Sequence, residues 1–138
     1  ALPLGARREA GFRVEVGGLA LSGAMDVVWR KGDVWCVLDY KVTLMQNAPE
    51  ELYSAQLDLY ALAARKGAEL AGEPCSRVEA GLVFLREGSP LRMRRVEDWE
   101  AIEGRVRAAA RLGAVRDLPP REEHCPRCPW RSSCPAAR

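Results

Sequence analysis

The chain has 138 residues, a net charge of +2 and 48% hydrophobic residues, which is the profile of one globular domain. This composition excludes an intrinsically disordered chain, a collagen-like repeat and a disulfide-stabilised miniprotein. The sequence has no signal peptide and no apolar run near the roughly 20 residues that a transmembrane helix needs. We therefore expect a cytoplasmic protein without a membrane partner.

Hydrophobic periodicity and turn residues predict seven regular elements. In chain order these are strands over 11–16, 19–29 and 34–42, a helix from 49 to about 67–72, strands over 77–85 and 91–96, and a helix over 97–112. This order predicts a layered α/β or α+β domain. We expect the core to occupy residues 1–118 and a cysteine-rich tail to occupy residues 119–138.

The second predicted hairpin brings two acidic side chains together. If Gly32 and Asp33 form a two-residue turn, Asp26 lies directly across from Asp39 and near Lys41. Opposed Cβ atoms lie about 4.5–5.5 Å apart, where like charges are destabilising. Lys41 supplies part of the compensating charge, and a divalent cation such as Mg²⁺ supplies it better. The alternative is a ladder of surface charges that solvent screens.

Strand alternation predicts which face of this hairpin is buried. The face with the two carboxylates also carries Ala24, Val28, Val37 and Lys41. The opposite face is almost entirely apolar and carries Met25, Val27, Trp29, Cys36, Leu38 and Tyr40. We expect this apolar face to pack against a helix.

Gln56 and Tyr60 lie at i and i+4 on one face of the first predicted helix. Alone, they are equally well explained as the polar border of an amphipathic helix. In order, however, the chain reads GAMD at 23–26, LDYK at 38–41 and QLDLY at 56–60. This set resembles the PD-(D/E)XK nuclease superfamily, specifically the RecB-like and AddB-like exonuclease domains of helicase–nuclease machines and the related CRISPR-adaptation nucleases.

The resemblance implies a restriction-endonuclease-like core, with a central mixed β-sheet flanked by helices. It also implies that Asp26, Asp39 and the main-chain carbonyl of Tyr40 bind a catalytic Mg²⁺ or Mn²⁺ ion. The implied partner is DNA, as single strands or duplex ends, together with a helicase domain or subunit in recombinational repair.

The same resemblance implies a role for three further side chains. Lys41 would orient or activate the attacking water and stabilise charge on the phosphorus centre. Gln56 and Tyr60 would position the active site and the DNA strand.

Two features depart from the family pattern. Family members often carry Thr directly after the lysine, whereas Val42 precedes Thr43 in this chain. Family domains also begin with a helix that often contributes a His or Glu to the metal. The sequence lacks such a helix, and neither Glu9 nor His124 replaces that ligand, so the chain resembles the C-terminal part of a larger protein with an incomplete site.

The tail carries Cys125, Cys128 and Cys134 in a C-x₂-C-x₅-C pattern. Two thiolates separated by two residues can bind one centre, so the pattern indicates a metal or cluster site and not a disulfide. Zinc would require four N or S ligands, and a [4Fe–4S] cluster would require four cysteines. His124 would form a strained chelate with its neighbour, whereas Cys75 remains open as a fourth ligand.

The tail is similar to that of iron–sulfur nucleases in the same RecB-like group. Their fourth cysteine lies far upstream of the G-x-x-D strand, which in this chain corresponds to a position before Ala1. The resemblance therefore implies a structural [4Fe–4S] cluster. Trp130 lies inside the cysteine loop and is a candidate for packing against that cluster.

Six arginines on the fifth strand and the last helix are candidate phosphate contacts, although a solvated strand edge and helix face explain them equally well. These are Arg92, Arg94, Arg95, Arg105, Arg107 and Arg111. Two other functions stay open at this point. One is a nuclease-like DNA-binding module without activity, and the other is a zinc-binding interaction domain in which the carboxylates are incidental.

Overall fold

The computed structural model describes residues 5–42, 51–86, 88, 91–112 and 122–135. All seven predicted elements are present, and a 3₁₀ helix lies in the tail. Their bounds are β1 (Arg7–Val16), β2 (Leu19–Lys31), β3 (Val34–Lys41), α1 (Glu51–Leu70), β4 (Arg77–Phe84), β5 (Arg92–Val96), α2 (Trp99–Leu112) and the 3₁₀ helix (Glu122–Arg127). The chain divides into two compact units, Ala1–Arg107 and Ala108–Arg138.

The five strands form one mixed sheet in the order β1-β2-β3-β4-β5. The first three strands form an antiparallel meander, whose first turn is tight because Gly17 and Gly18 have positive φ values of 57° and 82°. Strand β4 then pairs parallel to β3, and α1 provides the crossover connection that parallel pairing requires. The expected mixed sheet of an α/β domain is confirmed. Within the part of the chain described, no helix is both long and apolar enough to cross a bilayer.

The register of the second hairpin is the predicted one. Lys31 pairs with Val34, and the same alignment continues to the pair formed by Val27 and Leu38. The ladder ends there, so Asp26 and Asp39 are the first residues beyond it. The predicted alignment is correct, but the two carboxylates lie where the strands have stopped pairing.

Helix α1 packs on the face of the sheet that carries Val28 and Val37, and its residues Leu57 and Ala61 are fully buried there. The expectation that a helix would cover the opposite face of the hairpin is therefore wrong. That opposite face forms a smaller cluster of its own, made of Val27, Trp29, Cys36 and Leu38. The physical reason is that the face beneath α1 carries the larger apolar cluster, to which β1, β4 and β5 also contribute, so a helix buries more apolar surface there.

Strand alternation breaks at Asp26. Met25 and Val28 both belong to the core beneath α1, whereas Val27 lies in the cluster on the other face. The β1–β2 pairing skips the same position, where Glu9 adopts a positive φ of 45° that is strained for a non-glycine residue. The predicted place of Met25 on the opposite face is therefore wrong, because the strand changes face next to the carboxylate.

Candidate active site

The candidate site lies at the carboxyl end of β3, beneath the first turns of α1. Asp39 is 2% exposed and is the one buried charged residue in the described part of the chain. Burying a carboxylate is costly unless nearby groups compensate its charge. The surroundings of Asp39 are therefore informative about what the site is built to hold.

Asp26 approaches β3 through its side chain. Its Oδ2 atom accepts a hydrogen bond of 2.8 Å from the backbone N–H of Tyr40. This bond replaces the ladder bond that is absent beyond Val27 and Leu38, and it places the Asp26 carboxylate next to Asp39. The predicted proximity of the two carboxylates is thus produced by a side-chain bond and not by strand pairing.

The environment of Asp39 disfavours its charged form in the metal-free protein. Burial raises the pKa of Asp39, and the charge of Asp26 adds to that effect, while Lys41 opposes it. Lys41 Nζ forms an ion pair with Asp39 Oδ2 at 2.6 Å. One lysine therefore compensates only part of the cost of two neighbouring carboxylates.

Gln56 connects the lysine to the rest of the site. Its Oε1 atom accepts a 2.9 Å bond from Lys41 Nζ, and its Nε2 atom donates a 2.9 Å bond to the hydroxyl of Tyr60. The same Nε2 atom lies 3.5 Å from Asp39 Oδ1. The amide thus uses both its acceptor and its donor group, which fixes its orientation.

A glycine on β2 supports the far end of this network. The ring of Tyr60 meets Phe12 edge to face, with centroids 6.1 Å apart. A Cβ atom on Gly23 would lie 2.9 Å from Cζ of Phe12, so a larger residue at this position would displace that ring. Gly23 of the GAMD segment therefore supports Gln56 indirectly, through the packed rings of Phe12 and Tyr60.

Tyr53 is a further residue of the site that was not predicted from the sequence. Lys41 Nζ lies 4.3 Å from the centroid of its ring, which is a cation–π contact. The signal was present in the sequence, since Tyr53, Gln56 and Tyr60 follow the i, i+3, i+7 spacing of one helix face.

The donor atoms at the site suit a hard divalent cation. Asp39 is buried, and the partner of its Oδ2 atom among the described residues is the ammonium group of Lys41, so a divalent cation would share this oxygen with that group or replace it. Carboxylate oxygens are the ligands that Mg²⁺ and Mn²⁺ prefer. Nowhere in the described residues do three or more His, Cys, Asp or Glu side chains form a metal-holding group. Mg²⁺ bound by one or two carboxylates usually completes its coordination with water and other oxygens.

The cysteines of the tail are free thiols. Cys125 and Cys128 are partly buried and joined by a turn in which Cys128 N–H donates to Cys125 O at 3.2 Å, whereas Cys134 is exposed. Trp130, the candidate for packing against a cluster, is 73% exposed. In the other unit, burial raises the pKa of the Cys75 thiol, which disfavours the thiolate that a metal ligand requires.

Most of the candidate phosphate-binding arginines have acidic partners. Arg94 and Arg105 each lie 2.6 Å from a different oxygen of Asp58. Two further pairs are Arg95 with Glu97 at 2.9 Å and Arg107 with Glu103 at 3.5 Å. For these four side chains the structural explanation applies.

Comparison with known proteins agrees with the fold. The family model of the PD-(D/E)XK nuclease superfamily matches residues 3–135. Among solved structures, the chain is similar to the crystal structure of SSO0001, with 16% sequence identity and a TM-score of 0.56 over 96% of this chain and 62% of that one. At that identity the likeness concerns the fold alone, and this chain spans about 62% of the length of SSO0001. No curated protein matches the chain. The restriction-endonuclease-like fold expected from the sequence is confirmed.

Proposed function

Because the chain belongs to the PD-(D/E)XK nuclease superfamily, we propose that it is a metal-dependent deoxyribonuclease that hydrolyses phosphodiester bonds. One observation carries the proposal. Lys41 contacts both Asp39 and Gln56, and Gln56 in turn contacts Tyr60, so side chains from β3 and α1 form one connected polar network. A structural role alone does not explain this network, because it surrounds a buried carboxylate whose charge is only partly compensated.

In this proposal Asp26, Asp39 and the main-chain carbonyl of Tyr40 hold the Mg²⁺ or Mn²⁺ ion. Such an ion polarises a phosphoryl oxygen and lowers the pKa of a bound water. The residues contribute a fixed arrangement of oxygens, since Asp26 is anchored by the amide of Tyr40 and Asp39 by its place at the end of β3. This preorganisation avoids rearrangement when charge develops.

Lys41 is the cation next to the reacting phosphate. Its ammonium group orients the attacking water and stabilises the negative charge that develops on phosphoryl oxygens. Gln56 holds the ammonium group through its carbonyl oxygen, and Tyr60 holds Gln56. We assign Gln56 and Tyr60 the additional role of positioning the DNA strand, because both are only partly buried and belong to the same network.

The decisive experiment compares variants from one hairpin. Cleavage of a labelled single-stranded oligonucleotide is measured with Mg²⁺, with Mn²⁺ and with EDTA. Asp39→Asn and Lys41→Ala should reduce the rate by at least about 10²-fold, whereas Asp33→Asn, in the exposed turn of the same hairpin, should not. A wild-type rate for Asp39→Asn would refute the assignment. DNA binding without any cleavage by the wild-type protein would favour an inactive nuclease-like module.

We further propose that the enzyme is an exonuclease that acts with a helicase domain or subunit in recombinational DNA repair. The support is the order of the GAMD, LDYK and QLDLY segments, which resembles RecB-like and AddB-like domains. An exonuclease degrades a linear single strand and spares a circular strand of the same sequence. Equal cleavage of both substrates would exclude this finer assignment and leave the nuclease assignment intact.

For the tail, we propose that Cys125, Cys128 and Cys134 bind a [4Fe–4S] cluster whose fourth thiolate comes from outside this sequence. The support is the C-x₂-C-x₅-C spacing and the turn that joins the first two cysteines. Iron and acid-labile sulfide are measured in anaerobically purified full-length protein. Cys128→Ser should lose both, while the buried Cys36→Ser should keep them. Zinc at one per chain without iron would contradict the cluster and favour a zinc site.

A further inference from the structure

The register of the sheet aligns an arginine with the site. Asp39 on β3 pairs with Leu82 on β4, and Leu82 pairs with Arg92 on β5. Neighbouring strands lie about 4.7–4.9 Å apart, so the backbone of Arg92 is about 10 Å from that of Asp39 on a line across the sheet.

Arg92 also lies on the same face of the sheet as Asp39. Directly paired residues of neighbouring strands point to the same face, and Leu82 is part of the core beneath α1. Arg94, two residues further along β5, confirms the direction, because its guanidinium bonds Asp58 of α1. Arg95, by contrast, points to the opposite face and pairs with Glu97.

Arg92 differs from the neighbouring arginines because its charge is not compensated by an acidic partner among the described residues. It is exposed and makes no ion pair with any residue that the structure describes, whereas Arg94, Arg95 and Arg105 all have acidic partners. Arg86, just beyond the end of β4, is likewise exposed and unpaired among the described residues. The amide of the preceding Leu85 donates a 2.9 Å bond to the carbonyl of Lys41, so this end of β4 adjoins the site.

We propose that Arg92 and Arg86 bind backbone phosphates of the DNA strand and direct that strand from the carboxylate site across the ends of β4 and β5. The proposal rests on the proposed nuclease function. The two guanidinium groups are suited to the task, since an arginine without an acidic partner has its N–H donors available for phosphate oxygens.

The test measures binding separately from cleavage. Anisotropy of a fluorescent single strand of about 20 nucleotides is titrated in EDTA from about 50 to 200 mM salt, with wild-type protein, Arg92→Ala, Arg86→Ala and Arg95→Ala. Arg92→Ala should weaken binding about tenfold and make the slope of log K against log [salt] shallower by about 0.7. Arg86→Ala should do the same. The matched control Arg95→Ala, on the opposite face, should leave affinity and slope as in the wild type.

The outcomes separate this inference from the nuclease assignment. If the protein cleaves DNA but Arg92→Ala binds with wild-type affinity and slope, the strand path is wrong and the nuclease assignment stands. If the protein binds DNA without cleaving it, and Arg92→Ala has a lower affinity and a shallower salt slope, the proposed DNA path is supported and the nuclease assignment is not. A wild-type protein that neither binds nor cleaves the oligonucleotide overturns both.

Discussion

The ammonium group of Lys41 lies 4.3 Å from the centre of the Tyr53 ring, and that ring packs beside Phe84 with centroids 6.4 Å apart. Lys41 is thus held by a carboxylate, an amide and an aromatic face from two elements. A lysine held in this way is restricted to one position, which is what a cation next to a reacting phosphate needs.

We predict that Tyr53→Leu lowers kcat about 3- to 30-fold with little change in KM, because a cation–π contact contributes about 0.5–2 kcal/mol. Tyr53→Phe keeps the ring and should retain a near wild-type rate. The measurement is steady-state cleavage of a labelled strand with both variants. Equal rates for the two variants would show that the ring does not position Lys41.

Gln56 should not tolerate replacement by its charged isostere. Gln56→Glu keeps the acceptor for Lys41 but removes the N–H group that donates to Tyr60, and it puts a negative charge near Asp39 Oδ1. We predict at least an approximately tenfold lower rate of cleavage for Gln56→Glu. The control is the reverse exchange at an exposed position of the same helix, Glu69→Gln, which should have the wild-type rate. Retained activity in Gln56→Glu would exclude the proposed role of the amide.

The raised pKa of Asp39 has a defined consequence for stability in the metal-free protein. Between the pKa of the unfolded state and the raised pKa of the folded state, the folded protein binds more protons than the unfolded protein. The contribution of Asp39 to the free energy of unfolding is therefore full at low pH and is lost as pH rises through the folded pKa. Asp39→Asn removes the titration. In EDTA at neutral pH we therefore predict that Asp39→Asn melts at or above the wild-type temperature.

Divalent metal should reverse that order. At Mg²⁺ or Mn²⁺ concentrations of about 100 times Kd, the wild-type protein gains about 2.7 kcal/mol of unfolding free energy, and Asp39→Asn gains little. Thermal melts of both proteins with and without metal test the prediction. An equal metal-induced shift in the two proteins would show that Asp39 is not a ligand.

Gly23 should be intolerant of even one methyl group. Gly23→Ala would force the Phe12 ring to move, because the added Cβ atom lies 2.9 Å from Cζ of that ring. We predict a loss of about 1–3 kcal/mol of unfolding free energy and a lower cleavage rate, since Phe12 supports Tyr60. Gly67→Ala, in an open position on α1, is the control and should stabilise the protein by about 0.5–1 kcal/mol. Equal melting temperatures for Gly23→Ala and Gly67→Ala would show that the close approach of Phe12 to Gly23 does not affect stability.

The alignment of the second hairpin could be predicted because a two-residue turn fixes which residues oppose each other. Lys31 and Val34 are paired as that rule requires. The break in alternation at Asp26 could not be predicted, because alternation arguments assume regular strands. The strained Glu9 that accompanies the break also leaves no sign in the local sequence. The helix was predicted on the wrong face because that prediction counted apolar residues of one hairpin. The larger apolar cluster also contains residues of β1, β4 and β5, which lie outside the hairpin.

The arginines show a second limit of sequence reasoning. Six arginines were equal candidates, and nothing in their sequence spacing distinguishes Arg94 from Arg92. In the structure, Arg94 bonds Asp58 at 2.6 Å, whereas Arg92 has no such partner among the described residues. Their pairing depends on which residues α1 and β5 bring together. That information is tertiary, so only the structure could sort them.

The bond from the Tyr40 amide to Asp26 has a consequence for how activity is lost. Because a side-chain bond and not strand pairing joins Asp26 to Tyr40, the two acidic groups stay together while the end of β3 is intact. Local fraying at that end, which costs far less than global unfolding, would separate them. On gentle heating, the rate of DNA cleavage should therefore fall before the sheet unfolds. The inactive molecules would still give a native circular-dichroism spectrum.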